Sequence, residues 1–384
     1  TPQPTAEEDA VQLQPSCDER LAEPYRIAAQ VLASQNRISD ALDVLDTGLD
    51  VDALSGNVDL ILEKGRLLFD QGEFDQAGYQ AYLALYVDPA TEAAYQLSIA
   101  SLLAQNKPGD AVQQAQTYLH YFPGSSTAFS LLGEARVAEG NPDLAAVAFA
   151  QAAQGGTDHE RARALQGLAR ILINQGEFQR ARELLNDALR LSNDASIRAD
   201  RLVAALNDTG FARRFEIALE DIDTLRGSEA VSEVTLNLLE GRALIDGAFE
   251  DLSAPECPDS TSAFSQALTL LNPVSIGTNV SADERALANE YVARAQYCLG
   301  DLETALNQID LALASGDSAD RRYWRGRIAE ALGDEWQAAR DYEWVLSLAA
   351  FEPINVPSDL QSRLEDLPQA TRTPDPTETP AAGS

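Results

Sequence analysis

The chain has no methionine, not even at its first position, where Thr1 stands as it would in a processed or trimmed product. It has two histidines, His120 and His159, far apart and outside any HExxH-type array, so a histidine-built metal or acid–base centre has no material. There is no Walker-type loop and no GxGxxG after a strand, which removes the usual phosphate cradles. No apolar run reaches the roughly 18 residues that a membrane-spanning helix needs, and no signal peptide is read at the start. Positive charge is scarce: 28 basic residues face 61 acidic ones, for a net charge of -33. Such a surface repels nucleic-acid phosphates and anionic lipid heads, so neither is an expected partner. Lysine is nearly missing, with Lys64 and Lys107 alone among arginines, a bias that reads as genomic or as adaptation to high salt. Cysteine is limited to Cys17, Cys257 and Cys298, an odd number that allows one internal disulfide and leaves a thiol over.

What remains is 45% hydrophobic, enough for a sizeable core. Both ends are rich in proline and threonine, TPQPTAEED at the front and TPDPTETPAAGS at the back, and cannot bury enough apolar surface to fold. They resemble the spacers of exported bacterial surface proteins. Asp40, Asp43, Asp46, Asp50 and Asp52 form the densest acidic cluster. It does not fit an EF-hand loop and reads as a solvated face, so no metal and no cofactor are expected.

A period runs through the chain. Residues 65–89 read GRLLFDQGEFDQAGYQAYLALYVDP: a small residue within a first helix (Gly65), a turn glycine (Gly72), an aromatic at the turn (Phe74), a contact alanine (Ala77) and a closing proline (Pro89). Steps of 34 residues carry Ala77 to Ala111 and Ala145, Pro89 to Pro123, Gly65 to Gly133 and Gly72 to Gly140. Ala41 and Ala181 flank this register at 36 residues, and Ala305 and Ala338 repeat it near the end, 33 apart. Between them lie two irregular units, one turning at Gly210 and Phe211, the other spanning 232–273 with the insertion DLSAPECPDSTS. Apolar residues at three- and four-residue spacing, as in Leu165, Leu168, Ala169, Leu172 and Ile173, mark amphipathic helices.

This pattern resembles the tetratricopeptide repeat, a helix-turn-helix unit with small residues where helices touch and a late proline. The resemblance implies an all-α, right-handed α-solenoid of about nine helix pairs, its concave face lined by first helices. The expected organisation is a disordered segment at 1–20, an N-terminal array at 21–193 and degenerate repeats at 194–275. C-terminal repeats at 276–352, a capping helix at 353–367 with Ser358 as its N-cap, and a disordered tail at 368–384 complete it. The aromatic that the family places early in the first helix is mostly missing here.

One column stands out. The residue after the small first-helix residue is Arg66, Arg170, Arg242, Arg294 and Arg327 in five units. The resemblance places it on the groove, where guanidinium groups grip carboxylates. The competing reading pairs these arginines along their own helices, Arg66 with Glu63 or Asp59 and Arg294 with Glu290. Phe69, Tyr297 and Tyr323 are candidate groove aromatics, while Trp324, Trp336 and Trp344 cluster in the last unit, more in keeping with packing. Cys257 in the inserted turn and Cys298 near the next turn share one edge of a solenoid, which makes them a disulfide candidate suited to an oxidising compartment. Two functions follow. One is a non-enzymatic, extracytoplasmic adaptor at the cell surface or secreted, binding a protein or peptide with an acidic tail. The other is a structural subunit that self-assembles through its ends into an extracellular filament or layer.

Overall fold

The computed structural model describes residues 17–249, 257–352, 354 and 356–367. Among them are 19 α-helices and no strand: nine antiparallel pairs and a short terminal helix, an all-α solenoid architecture. The chain divides into two compact units at Ser192/Asn193.

Unit 1 holds α1 (Cys17–Ser34), α2 (Ile38–Leu49), α3 (Val58–Asp70), α4 (Phe74–Val87), α5 (Glu92–Ala104), α6 (Pro108–Tyr121), α7 (Ser126–Ala138), α8 (Pro142–Ala152), α9 (Asp158–Asn174) and α10 (Phe178–Leu191). Its first helices α1, α3, α5, α7 and α9 touch one another in series as well as their own partners. Unit 2 holds α11 (Ala195–Asn207), α12 (Arg214–Leu225), α13 (Glu233–Ala248), α14 (Thr261–Ile276), α15 (Ala282–Leu299), α16 (Leu302–Ser315), α17 (Ala319–Leu332), α18 (Glu335–Ala349) and α19 (Leu360–Asp366).

The periodic residues act at two places. The first is the turn inside each pair. Asn36, Gly72, Asn106, Gly140, Gly176, Gly300 and Gly333 all adopt φ between +57° and +85°. That left-handed residue reverses the chain, and the next N–H reaches back to the preceding helix. Glu73 donates to the Leu68 carbonyl, Lys107 to Leu102, Glu177 to Leu172 and Asp301 to Gln296, at 2.8 to 3.0 Å. Asparagine replaces glycine at 36 and 106 because it tolerates this region better than other side chains. The α11–α12 connection lacks this lock, in keeping with the irregular look of that unit in sequence.

The second place is the helix crossing. Ala41, Ala77, Ala111, Ala145, Ala181, Ala218, Ala267, Ala305 and Ala338, one per second helix, are fully buried. Opposite them the first helix offers a small residue. A Cβ on Gly326 would lie 2.5 Å from the Tyr342 ring, and one on Gly133 would lie 2.8 Å from Phe149.

Several boundaries differ from expectation. α1 begins at Cys17, ahead of residue 21, and the segments 1–16 and 368–384 lie outside the described residues. So does 250–256, most of the insertion. α14 runs through Pro273 to Ile276, because a preceding-turn carbonyl left without a partner is tolerated near a helix end. The terminal helix starts at Leu360 with Asp359, not Ser358, at its N-cap, and buries Leu360 and Leu364. Asp359 makes no cap bond, since its carboxylate accepts from Tyr323 Oη (2.7 Å) and Arg363 Nε (2.5 Å). Cys257 and Cys298 are joined by a disulfide, with Cα atoms 5.3 Å apart. It ties the chain just before α14 to the end of α15.

Candidate protein-interaction site

The column of residues that follows the small first-helix position behaves differently in the two units. In unit 1 it lines open clefts. One, of about 600 Å3, lies among α1, α3 and the start of α5, and holds Arg66 with Arg26, Gln30, Glu63 and Leu62. The Arg66 side chain is 59% exposed and sits 3.6 Å from Glu63 of its own helix. The pairing along the helix and the groove position therefore hold together for this residue.

A smaller cleft of about 210 Å3 lies between α7 and α9. Its floor is Phe149 and Ile171, both buried, and its walls carry Val137, Glu134, Arg163 and Arg170. Phe149 belongs to the second helix α8 but reaches through to the first-helix side because Gly133 and Gly167 leave room on both sides of its ring. Arg163 Nη2 is 3.6 Å from Glu134 Oε1. Crowding between α7 and α9 raises the Glu134 carboxyl above its ordinary value, and Arg163 and Arg170 offset part of the rise. The carboxylate side chain is still 42% exposed, so solvent screens both effects. With two guanidiniums to one carboxylate, this cleft is locally cationic on an acidic protein.

In unit 2 the same column closes on itself. Arg242 Nη2 donates to Asn207 Oδ1 (3.0 Å) at the end of α11, and Arg242 Nε to Asp246 (3.3 Å). Arg294 is buried; it pairs with Glu290, lies 3.6 Å from Asp246, and stacks over Tyr291 and Trp324 at 4.6 and 5.2 Å. Tyr291 Oη donates to Asp246 at 2.9 Å, and burial followed by that carboxylate pushes the phenol well above its ordinary value. Glu290 also accepts from Arg321 Nε at 3.1 Å. Arg327 is 2% exposed, packed against Tyr297 and Trp324 at 5.2 and 5.0 Å.

The expected groove set therefore separates. Arg66 and Arg170 reach accessible clefts, whereas Arg294 and Arg327 are core residues and Arg242 is largely occupied. Tyr323, 3% exposed, is in the core as well, its hydroxyl held by Asp359. Tyr297 is half-buried beneath Arg327, and Phe69 packs edge-on against Phe74 at 5.1 Å. The tryptophans divide: Trp324 is buried and Trp344 packs against the same hydrophobic core, as the packing reading expects, while Trp336 is exposed beneath Arg340. The reason is aromatic and acidic partners in neighbouring pairs, which a single column does not reveal. Conversely, Arg26, Glu134, Arg163 and Phe149 were not singled out from the sequence. Glu134 occupies the column itself, in the pair where the residue is acidic, and a search for arginine passes over it.

Unit 2 also repeats a clamp. Asp221 on α12 receives Arg198 (3.0 Å) and both Nε and Nη2 of Arg201 (2.9 and 2.5 Å) from α11. Asp341 on α18 receives Arg322 (3.1 Å) and both Nε and Nη2 of Arg325 (2.8 and 2.7 Å) from α17. Both aspartates are fully buried, and the two arginines stand three residues apart in each case. Arg-x-x-Arg on a first helix facing Asp on the second is the readable signal.

Comparison with known proteins agrees with the architecture. Tetratricopeptide-repeat family models match residues 28–94 and 100–159, and a second such model matches 136–206. The Cut9–Hcn1 heterotetramer of APC/C is 15% identical over 90% of this chain and 63% of that one, with a TM-score of 0.51. PilF of Pseudomonas aeruginosa is 16% identical over 59% of this chain and 94% of that one, with a TM-score of 0.48. YrrB, described as a tetratricopeptide-repeat protein with an unusual peptide-binding site, is 20% identical over 47% of this chain and 95% of that one, at 0.35. No curated protein matches the chain. Tetratricopeptide-repeat proteins generally mediate protein–protein interactions. Helix pairs, locked turns and family models together identify residues 28–94, 100–159 and 136–206 as tetratricopeptide repeats.

Proposed function

We propose that the chain is a non-enzymatic, extracytoplasmic interaction scaffold that holds a peptide on the first-helix face of unit 1. The observation that carries this reading is the cleft over Phe149 and Ile171, with Arg163 and Arg170 at its rim. Its volume suits one bulky apolar side chain, and its guanidiniums suit a neighbouring carboxylate. The peptide expected is therefore acidic, with an apolar anchor. The Cys257–Cys298 disulfide supports an oxidising compartment. No described helix is long and apolar enough to cross a membrane.

Selection of peptides from a random display library on the full chain tests this. Enriched sequences should pair an aromatic or branched apolar residue with Asp or Glu. Their affinity should fall by about tenfold or more in Arg163→Glu/Arg170→Glu, as for charge reversal at an interface. Peptides that bind that variant as tightly as the parent would sink the proposal. A second reading, end-to-end assembly into a filament or layer, is favoured by Leu21, Ile27 and Val31, each about half exposed on α1. The buried leucines of α19 oppose it at the other end. Growth in mass with concentration by light scattering would support assembly, and a constant monomer mass would oppose it.

A further inference from the structure

Helix α4 is built inside out. Its packed side is made of Ala77, Ala81 and Ala84, all fully buried. Its opposite side carries Tyr79, Tyr82 and Tyr86, which are 58, 61 and 78% exposed. Spacings of three and four residues align the three rings along one stripe. Among the described residues none of the three hydroxyls makes a hydrogen bond within the chain and none of the rings stacks on another. At about 200 Å2 per aromatic side chain the stripe exposes on the order of 400 Å2, the size at which exposed patches mark interaction surfaces. Packing does not need these tyrosines, because the alanines already make the contacts with α3 and α5.

Charge says what would cover the stripe. The second helices α2, α4, α6 and α8 contain no lysine or arginine. They carry Asp40, Asp43, Asp46, Asp75, Asp110 and Asp143. Asp75 continues the tyrosine stripe at its start, and the nearby Lys107, at 3.7 Å, is the N-cap of α6. Tyrosine faces attract guanidinium and ammonium groups through the ring quadrupole, and the net charge of -33 steers cations toward the molecule. A second copy of the chain would bring its own acidic surface to the same place.

We infer that the Tyr79–Tyr82–Tyr86 stripe is a docking surface for an arginine-rich segment of a partner protein, separate from the first-helix clefts. The rings take guanidinium planes by stacking, and Asp75 at the head of the stripe, with the net negative charge of the chain, supplies the attracting field. Arginine is preferred over lysine because it is planar and less strongly hydrated.

The test uses the full chain and fluorescein-labelled nona-arginine and nona-lysine peptides, read by fluorescence anisotropy at about 0.15 M salt, where exposed charges are screened beyond about 8 Å. Tyr79→Ser/Tyr82→Ser/Tyr86→Ser keeps the net charge constant. The expected result is nona-arginine binding weakened by about tenfold or more, from three exposed cation–π contacts, and loss of the preference over nona-lysine. Phe351→Ser, which removes an 85% exposed ring in unit 2, should bind like the parent. Circular dichroism checks the fold, and Tyr82→Ser alone, with several-fold weaker binding expected, replaces the triple variant if that fails to fold. Unchanged nona-arginine affinity in the tyrosine variant overturns the proposal. So does a parent chain that dimerises in sedimentation while the variant does not, which would make a second copy the occupant.

Discussion

The residue that follows the small first-helix position sits at the same register in both units yet has opposite fates. In unit 1 it stands on open clefts, and its ion pairs are short-range and solvated, such as Arg66 with Glu63. In unit 2 it is drawn inward by aromatic and acidic partners, as with Arg294 between Asp246 and Trp324 of adjacent pairs and Glu290 of its own helix. One unit sets its arginines at the rims of solvent-accessible clefts. The other uses them as internal mortar, where Arg294 is buried beside the carboxylates of Glu290 and Asp246. The repeat supplies a position, and the neighbouring pairs decide whether that position binds or builds.

The sharpest way to break this comparison is to remove one charge from each unit. Asp341→Asn leaves Arg322 and Arg325 without their buried carboxylate and should cost about 3–5 kcal/mol. Glu177→Gln, which breaks the exposed pair with Arg180, should cost less than about 0.5 kcal/mol. Trp324, Trp336 and Trp344 all lie in unit 2, so tryptophan fluorescence in denaturant reads the first, and hydrogen exchange in α9 and α10 reads the second. Similar losses would erase the distinction. A somewhat smaller effect is expected from the disulfide: Cys257→Ser/Cys298→Ser should lower unit 2 stability by about 2–4 kcal/mol, given a sequence separation of 41 between the cysteines. Exchange in unit 1 should not change, and loss of protection there as well would contradict two independently compact units.

The smallest effect is one in which the units should agree. Glu160 on α9 and Glu284 on α15 each close a capping box. Side-chain hydrogen bonds from Thr127 and Ser281 respectively, with Thr157 and Thr235 adding to them, hold both carboxyls below their ordinary value. A depressed carboxyl stabilises the fold above its unfolded value of about 4.3, and this contribution is lost as pH falls through the folded value. Acid titration of stability should therefore flatten slightly and equally in Glu160→Gln and Glu284→Gln. An unchanged acid limb in either variant would remove that carboxylate from the account.

Much of the fold was legible because its determinants are local. The turn glycines and asparagines and the contact alanines each act within one pair, and a step of 34 residues finds them. Ala218 was harder, since the sixth turn at 208–213 lacks the left-handed residue that sets the register. The site was legible only in part. Arg66 and Arg170 could be placed on a face, but the burial of Arg327 depends on Tyr297, 30 residues earlier, and on the rest of its aromatic cage. Phe149 was missed because a second-helix aromatic reads as core, and only Gly133 and Gly167 together let it reach the other side.

The bonds between pairs in unit 2 also bear on how such a chain can change over generations. Tyr291 with Asp246, Glu290 with Arg321, and Thr235 with Glu284 each link a pair to the next. Duplicating or deleting one pair there would strand a charge or a hydroxyl in the interior, so order is fixed like the pieces of an arch. In unit 1 the bonds between pairs, such as Thr127 with Glu160 and Arg163 with Glu134, involve partly exposed groups that water can satisfy, so a pair inserted or lost there would strand less than in unit 2.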